Sequence, residues 1–293
     1  MVQIGGLTIS PPLLNSSCAW ASDLEQLTAL YDCRYTGAVT TRTATVGGFP
    51  QDESHGVCFS TETLSSLNSY GYSPHPLAQY LTWIEGLISG SSSSKPFLIS
   101  TTASEPSTLQ AAVDVIQTLR AKSVHYAERI GVEFNTSCPN IRGHPPPGYA
   151  PELLQPLLEV LAAAWRKDPT LTLGLKLPPY VHAGQFTGVV EKCPFAYVAC
   201  TNTLGNSLLF AEQVEAPLRG EEFAVPPVLG GLAGDALHPL ALGNVYSFKK
   251  LFEKEALDIA IFGIGGVTSK EAVARMTKAG ASVEGVKAFE ILT

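Results

Sequence analysis

The sequence lacks the features by which membrane, secreted and nucleic-acid-binding proteins are recognised. No stretch reaches the roughly 18 consecutive apolar residues that a membrane-spanning helix needs. The opening MVQIGGLTISPP has no basic segment followed by an apolar run, so we expect no signal peptide. Because the formal net charge is −7, we also expect no nucleic-acid partner.

Cysteine is present, but the spacing of the cysteines indicates neither a CxxC motif nor a metal site. The six cysteines form neither a CxxC pair nor a metal-ligand pattern, so we expect no metal. Free thiols are typical of a reducing compartment, and we expect a cytoplasmic protein. The 293 residues, 45% of them hydrophobic, show no break in composition and no internal repeat. They predict a single domain over residues 1–293.

Short β-forming runs alternate with longer helical stretches, which is the pattern of βα units around a parallel sheet. An N-terminal hairpin (Val2–Ile4 and Leu7–Ser10) precedes eight such strands, and eight βα units predict a TIM (β/α)8 barrel of the α/β class. The predicted barrel strands are Leu13–Ser17, Gly37–Thr41, Pro96–Thr101, Ile130–Asn135, Leu171–Lys176, Ala196–Thr201, Asp258–Gly263 and Ser282–Val286.

Helices are predicted between these strands, for example at Asp23–Tyr31, Pro106–Ala121, Pro151–Lys167 and Ser269–Ala279. Ser107 and either Thr268 or Ser269 are the candidate N-caps. The segments Thr43–Gly71 and Asn202–Asp235 are too long for ordinary connections, and we expect long loops that form or cover the active site.

The stretch Gly131–Gly143, GVEFNTSCPNIRG, concentrates the chemistry of the chain. A buried strand would end at Asn135 and lead into a loop with two carboxamides, a hydroxyl and a thiol. Asn offers both a donor and an acceptor to a planar ligand, and Cys138 offers an ionisable base or nucleophile. The alternative is an ordinary turn in which Cys138 is a small buried hydrophobe. Other polar residues also follow predicted strand ends, where barrels carry their active sites, and this favours a functional loop.

NTSCPN resembles the active-site loop of the class 1 dihydroorotate dehydrogenases, which are flavoprotein barrels of pyrimidine biosynthesis. The resemblance continues in the same order over nearly the whole chain, and LGLKLPPY is closest to the class 1A branch. The other matching motifs are NSSCA (Asn15–Ala19), SLNSYG (Ser66–Gly71), TNTLGN (Thr201–Asn206), GGLAG (Gly230–Gly234) and FGIGGV (Phe262–Val267). The resemblance implies FMN as cofactor, dihydroorotate as substrate, fumarate as oxidant and a homodimer.

The same resemblance implies roles for individual residues. Cys138 would be the general base that removes a proton from C5 of dihydroorotate while a hydride passes from C6 to FMN. The implied substrate-binding residues are Arg42, Asn68, Tyr70, Gly71, Tyr72, Asn135, Asn140, Asn202 and Thr203. The implied cofactor-binding residues are Ser17, Arg42, Asn135, Lys176, Gly231, Gly265 and Gly266, with GGLAG and FGIGGV as Gly-rich turns after strands.

Three positions depart from the family pattern. Arg42 stands where the family has a second lysine, Cys18 where it has glycine, and Thr203 where it has serine. No Gly-Thr pair follows the eighth strand, and only seven residues follow Val286, so we expect a short or truncated last helix and weaker phosphate binding. These departures leave two alternatives: an FMN oxidoreductase acting on another small molecule, or a barrel that has lost its cofactor.

Overall fold

The computed structural model describes residues 1–141, 146–186, 194–218 and 222–286. Their strands, in chain order, are β1 (Val2–Ile4), β2 (Leu7–Ile9), β3 (Leu13–Asn15), β4 (Val39–Thr40), β5 (Val57–Ser60), β6 (Ser65–Asn68), β7 (Phe97–Thr101), β8 (Ile130–Asn135), β9 (Leu173–Leu177), β10 (Tyr197–Cys200), β11 (Leu204–Ser207), β12 (Gly230–Gly234), β13 (Ala260–Ile264) and β14 (Val283–Val286).

Eight of these strands form one parallel sheet in the order β3-β14-β13-β10-β9-β8-β7-β4. A parallel bridge between Leu14 and Ala38 joins the two ends, so the sheet curls into a nearly closed barrel. The predicted TIM barrel is therefore confirmed, and β8 has the predicted bounds. The predicted N-terminal hairpin is the antiparallel pair β1–β2, whose Ile4, Leu7 and Ile9 are buried against residues of the barrel interior.

The helices are α1 (Leu24–Asp32), α2 (Leu77–Ser89), α3 (Pro106–Arg120), α4 (Val124–Ala127), α5 (Pro151–Lys167), α6 (His238–Lys254) and α7 (Lys270–Ala279). Ser269 caps α7 by accepting a hydrogen bond from the backbone N–H of Ala272, as predicted. The prediction for Ser107 is wrong. The N-cap of α3 is Glu105, because Pro106 takes the first helical position, where its missing N–H costs nothing. Among the described residues, no helix has both the length and the apolar character needed to cross a membrane.

Each barrel strand presents alternate residues to opposite sides of the wall. In β8, Ile130, Val132 and Phe134 are buried in the layer that contains the helices. Glu133 and Asn135 therefore face the barrel interior. This alternation is how one short strand contributes both to the core and to the site at the carboxyl end of the barrel.

A second, antiparallel sheet of order β11-β12-β6-β5 forms from the two segments predicted as long loops. The prediction was wrong for GGLAG, which is not a turn but the strand β12, paired with β6. Its partner lies more than 160 residues earlier in the chain, so no local pattern reveals the pairing. A small core of Cys58, Leu67, Ala224 and Val225 stabilises this sheet. The predicted short last helix, from Lys287 onward, lies outside the described residues.

Candidate active site

A cavity of about 1070 Å³, including its open mouth, lies where the barrel strands end and the antiparallel sheet begins. This volume and the position at the carboxyl ends of the strands are typical of a site for a cofactor and a small substrate. The predicted site residues that line it are Ser17, Arg42, Asn68, Tyr70, Gly71, Tyr72, Asn135, Cys138, Asn140, Lys176, Asn202, Thr203, Gly265 and Gly266.

Gly231 is the predicted site residue that lies outside the lining of this cavity. It sits within β12, and its carbonyl accepts a hydrogen bond of 2.9 Å from the Asn68 amide. A Cβ at this position would lie 2.2 Å from Oγ1 of Thr203. Gly231 therefore brings Asn68 and Thr203 close together, and its predicted contact with the cofactor stays a prediction.

Cys138 lies in the loop that leaves β8 and lines the cavity wall. The side-chain oxygen of Asn135 accepts a 3.1 Å hydrogen bond from the Ser137 backbone N–H, which turns the chain just before the thiol. The thiol lies 3.8 Å from the carbonyl oxygen of Tyr70 and can donate to it. Burial raises the pKa of Cys138, while the Asn140 backbone N–H and the charges of Lys176 and Arg42 oppose that rise.

Two carboxamides hold the loop of Cys138 against β6. The Asn140 amide donates to the carbonyl of Tyr70 at 2.7 Å and to the side-chain oxygen of Asn68 at 3.1 Å. Asn68 donates in turn to Gly231, as described above. These bonds orient the amide groups of Asn68 and Asn140 at the cavity surface.

The other two carboxamides form a pair at the ends of β8 and β10. The Asn202 amide donates to the side-chain oxygen of Asn135 at 3.2 Å and also to the carbonyl of Ser137. Asn135 donates to the Thr43 hydroxyl at 2.9 Å. The side-chain oxygen of Asn202 accepts from the backbone N–H of Thr203 at 2.9 Å. The pair is buried and preorganised, and it can offer donors and acceptors to a planar ring.

Lys176 ends the inward-facing side of β9, with only 5% of its surface exposed. Its ammonium donates to the carbonyl of Ser17 at 3.1 Å and to the Ser16 hydroxyl at 3.5 Å. A lysine this deeply buried is costly unless it meets negative charge or strong acceptors. Lys176 therefore makes this part of the cavity suitable for a ligand that carries or develops negative charge.

Arg42 supplies the second cationic group of the cavity, but its guanidinium is already engaged by the protein. One nitrogen donates to the carbonyls of Tyr72 at 3.1 Å and Gly71 at 3.3 Å, and another donates to the Ser22 hydroxyl at 3.2 Å. The guanidinium also lies 5.2 Å from the centre of the Tyr70 ring, in cation–π contact. Burial lowers the pKa of Arg42. Arg42 therefore holds the Tyr70–Tyr72 segment in place.

Gly265 and Gly266 form a tight turn after β13. Both have positive φ, +126° and +61°. A Cβ on Gly266 would lie 2.6 Å from Cβ of His238, which shows that only glycine fits there. The turn is held by His238, whose Nδ1 lies 2.8 Å from the carbonyl oxygen of Gly265, while its Nε2 accepts from Arg275 at 3.0 Å. A turn without Cβ obstruction at the cavity wall fits a phosphate group of a cofactor.

Several residues of the site were not predicted. Thr43 joins Asn135, Ser100 and Ser17 through one hydroxyl, at distances of 2.9 to 3.0 Å. Its position after a predicted strand was the available signal. Glu133 belongs to the predicted strand Ile130–Asn135, whose pattern gives it no role, and the structure places it inside the barrel with 2% exposure.

Comparison with known proteins agrees with this geometry. The dihydroorotate dehydrogenase family matches residues 1–290. The chain belongs to the dihydroorotate dehydrogenase family. A protein of Streptococcus pyogenes serotype M3 and one of Streptococcus pneumoniae serotype 4, both named dihydroorotate dehydrogenase A (fumarate), are each 29% identical to it over 308 residues. Each alignment covers 99% of this chain and 90% of the relative.

Membership confirms the resemblance stated from the motifs, and it identifies the protein as an enzyme of the oxidoreductase class. The relatives carry fumarate in their names, which matches the class 1A likeness of LGLKLPPY. The family assignment covers the fold and the reaction class.

Proposed function

We propose that this enzyme oxidises dihydroorotate to orotate with FMN as cofactor and fumarate as the final oxidant, as a step of pyrimidine biosynthesis. The observation that carries the proposal is the meeting of Cys138, four carboxamides and Lys176 around one cavity at the carboxyl end of the barrel. The homodimer stays a prediction from the resemblance, and the cytoplasmic location stays a prediction from the free cysteines.

The carboxamides match the chemistry of a dihydropyrimidine ring. Such a ring carries alternating N–H and C=O groups, and Asn68, Asn135, Asn140 and Asn202 each offer one acceptor and two donors. Their mutual hydrogen bonds fix their orientation before the ligand arrives, which reduces the entropy cost of binding. The substrate carboxylate would lie near the Tyr70–Tyr72 segment, where Arg42 supplies positive charge.

Cys138 is the proposed general base for the proton on C5. Its sulfur must be the thiolate to accept this proton, and the nearby charges of Lys176 and Arg42 favour that form. Bound FMN would supply the acceptor for the hydride that leaves C6 of the substrate. Lys176 stabilises the negative charge that arises on that side of the cavity.

The test is an anaerobic visible spectrum of the purified protein, recorded before and after addition of dihydroorotate. We expect a flavin band that bleaches when dihydroorotate is added and returns when fumarate follows. A protein that binds no flavin even after incubation with FMN contradicts the proposed cofactor and favours the barrel that has lost it.

Dehydrogenation of another small molecule is the second candidate, and Arg42 is the observation that favours it. A guanidinium tied to Gly71, Tyr72 and Ser22 is less free to contact a substrate than a lysine ammonium would be. A flavin band that dihydroorotate leaves unchanged, but that dithionite bleaches, would support this second function.

A further inference from the structure

Glu133 lies inside the barrel, on the strand next to the one that carries Lys176. In the pairing of β8 with β9, Glu133 is opposite Gly174 and Asn135 is opposite Lys176. Alternate residues share a face of the sheet, so Glu133 and Lys176 both face inward, one step apart along neighbouring strands. Glu133 is 2% exposed, and Lys176 is 5% exposed.

The Glu133 carboxyl group is incompletely satisfied. Its Oε1 is buried and has no hydrogen-bond partner among the described residues. The Ser100 hydroxyl and the Lys176 charge both favour the ionised form, while burial raises the pKa of the carboxyl group. A buried, half-satisfied carboxyl group normally has a functional or structural reason.

Tyr197 is a third polar residue of the barrel interior, and like Glu133 it is opposite Gly174 of β9. Its hydroxyl is likewise buried without a partner among the described residues. The Tyr197 ring stacks on Phe262 with ring centres 4.0 Å apart, and it fills the space that a Cβ on Gly174 would need. Burial and then the nearby Glu133 raise the pKa of Tyr197, so its hydroxyl stays protonated and can act as a donor.

We propose that Glu133 is a positioning residue that sets how much positive charge Lys176 presents to the bound flavin. This inference rests on the proposed function, because it needs FMN beside Lys176. When Glu133 is ionised, it partly neutralises the Lys176 ammonium. When Glu133 is protonated, the full charge of Lys176 acts on the cofactor. Unit charges inside a protein interact strongly because the effective dielectric constant there is low.

The consequence is a reduction potential that depends on Glu133. Negative charge accumulates on the flavin ring when it is reduced, and Lys176 stabilises that charge. Glu133→Gln removes the opposing carboxylate, so it should favour the reduced flavin. We expect the ratio of affinities for reduced and oxidised FMN to rise by about tenfold or more, with a more positive midpoint potential.

The pH dependence of the midpoint potential is a second test of the direction of this effect. Below the pKa of Glu133 the carboxyl group is neutral, as glutamine is, so variant and parent should have the same potential. Above that pKa the parent carries the carboxylate, and the two potentials should separate. The groups near Glu133 are Ser100 on β7, Lys176 on β9 and, one strand further on, Tyr197 on β10, and none is altered in this variant.

The experiment is an anaerobic titration of the FMN-loaded parent and variants with reference dyes, at several pH values, with the flavin spectrum as readout. Glu284→Gln is the matched control. Glu284 is also buried, but it lies on β14 and accepts a 2.8 Å hydrogen bond from the hydroxyl of Thr277 in α7. We expect the control to keep the parent potential at every pH.

Ser100→Ala removes the hydroxyl that favours the ionised form of Glu133. It should destabilise the Glu133 carboxylate, so the extra pH dependence of the potential should move to higher pH. This measurement also applies if Glu133→Gln fails to fold. Potentials that coincide for the parent and Glu133→Gln at all pH values, or a Ser100→Ala curve identical to that of the parent, overturn the inference while leaving the flavin function intact. A parent that takes up no FMN overturns the proposed function and this inference together.

Discussion

The Lys176 ammonium lies 3.1 Å from the carbonyl oxygen of Ser17, and this bond joins the ends of strands β9 and β3 across the cavity. The two residues are 159 positions apart in the chain. The contact places a buried positive charge beside the backbone that follows the first barrel strand. It is the reason that we expect the cofactor ring to bind there.

Replacing Lys176 with methionine should weaken FMN binding. The variant keeps an apolar stem of similar length and loses the charge, so the affinity for FMN should fall by about tenfold or more. Flavin fluorescence quenching measures this change. Lys250→Met is the matched control, since Lys250 is an exposed lysine paired with Glu253 on α6. Equal affinity in the parent and Lys176→Met would exclude Lys176 from the cofactor site.

Replacing Cys138 with alanine should abolish rapid flavin reduction by dihydroorotate while FMN still binds. In the parent, burial raises the pKa of Cys138 above the ordinary value of 9.0. The thiolate is the base, so the reduction rate should rise about tenfold for each pH unit below that pKa. Stopped-flow spectra recorded between pH 6 and about 10 measure this pH profile. This interval includes the usual pKa values of cysteine thiols.

Cys33→Ala is the control for Cys138, because Cys33 is a free cysteine at the end of α1, outside the cavity lining. Its pH profile should match that of the parent. If Cys138→Ala reduced its flavin at the parental rate, the base would have to be another group.

Replacing Arg42 with lysine should raise KM for dihydroorotate with little change in the pH profile. The ammonium keeps the charge near Cys138 but cannot reproduce bonds to Gly71, Tyr72 and Ser22 together. The loss of one or two such bonds predicts a KM increase of roughly five- to tenfold. Arg42→Met should raise KM further and also move the pH profile upward, since it removes a charge that favours the thiolate. If Arg42→Lys instead lowered KM, the second function proposed above would gain support.

Replacing Gly266 with alanine should lower both the melting temperature and the FMN affinity. Its φ of +61° is unfavourable for alanine, and the new Cβ would meet His238 and the carbonyl of Gly234. We expect a loss of about 1 to 3 kcal/mol of folding stability.

Gly243→Ala in α6 is the control, because a Cβ there meets no heavy atom of the described residues within 4 Å. It should stabilise the helix by about 0.5 to 1 kcal/mol. Thermal unfolding with and without FMN distinguishes the two variants, and equal melting temperatures would contradict the steric argument.

The barrel could be predicted from the sequence because its signals are local. Each strand of the wall, such as Ile130–Asn135, is a short apolar run next to a helical pattern, and the pattern repeats eight times along the chain. The position of Cys138, Asn135 and Lys176 at the carboxyl ends of strands follows from the same pattern. The motifs then extended the prediction to the residues of the cavity wall.

The antiparallel sheet could not be predicted, because its stability comes from pairings such as Gly231 with Asn68 that join distant segments. The sequence by itself determined the alternation of elements and which polar side chains end up at one end of the barrel, since strand direction and side-chain period are local properties. Only the tertiary structure decided that Arg42 is bonded to the Tyr70–Tyr72 segment, that Gly231 supports Asn68, and that Glu133 lies inside the barrel near Lys176 and Tyr197. These relations depend on register and packing between strands, which are set when the barrel closes and its interior is filled.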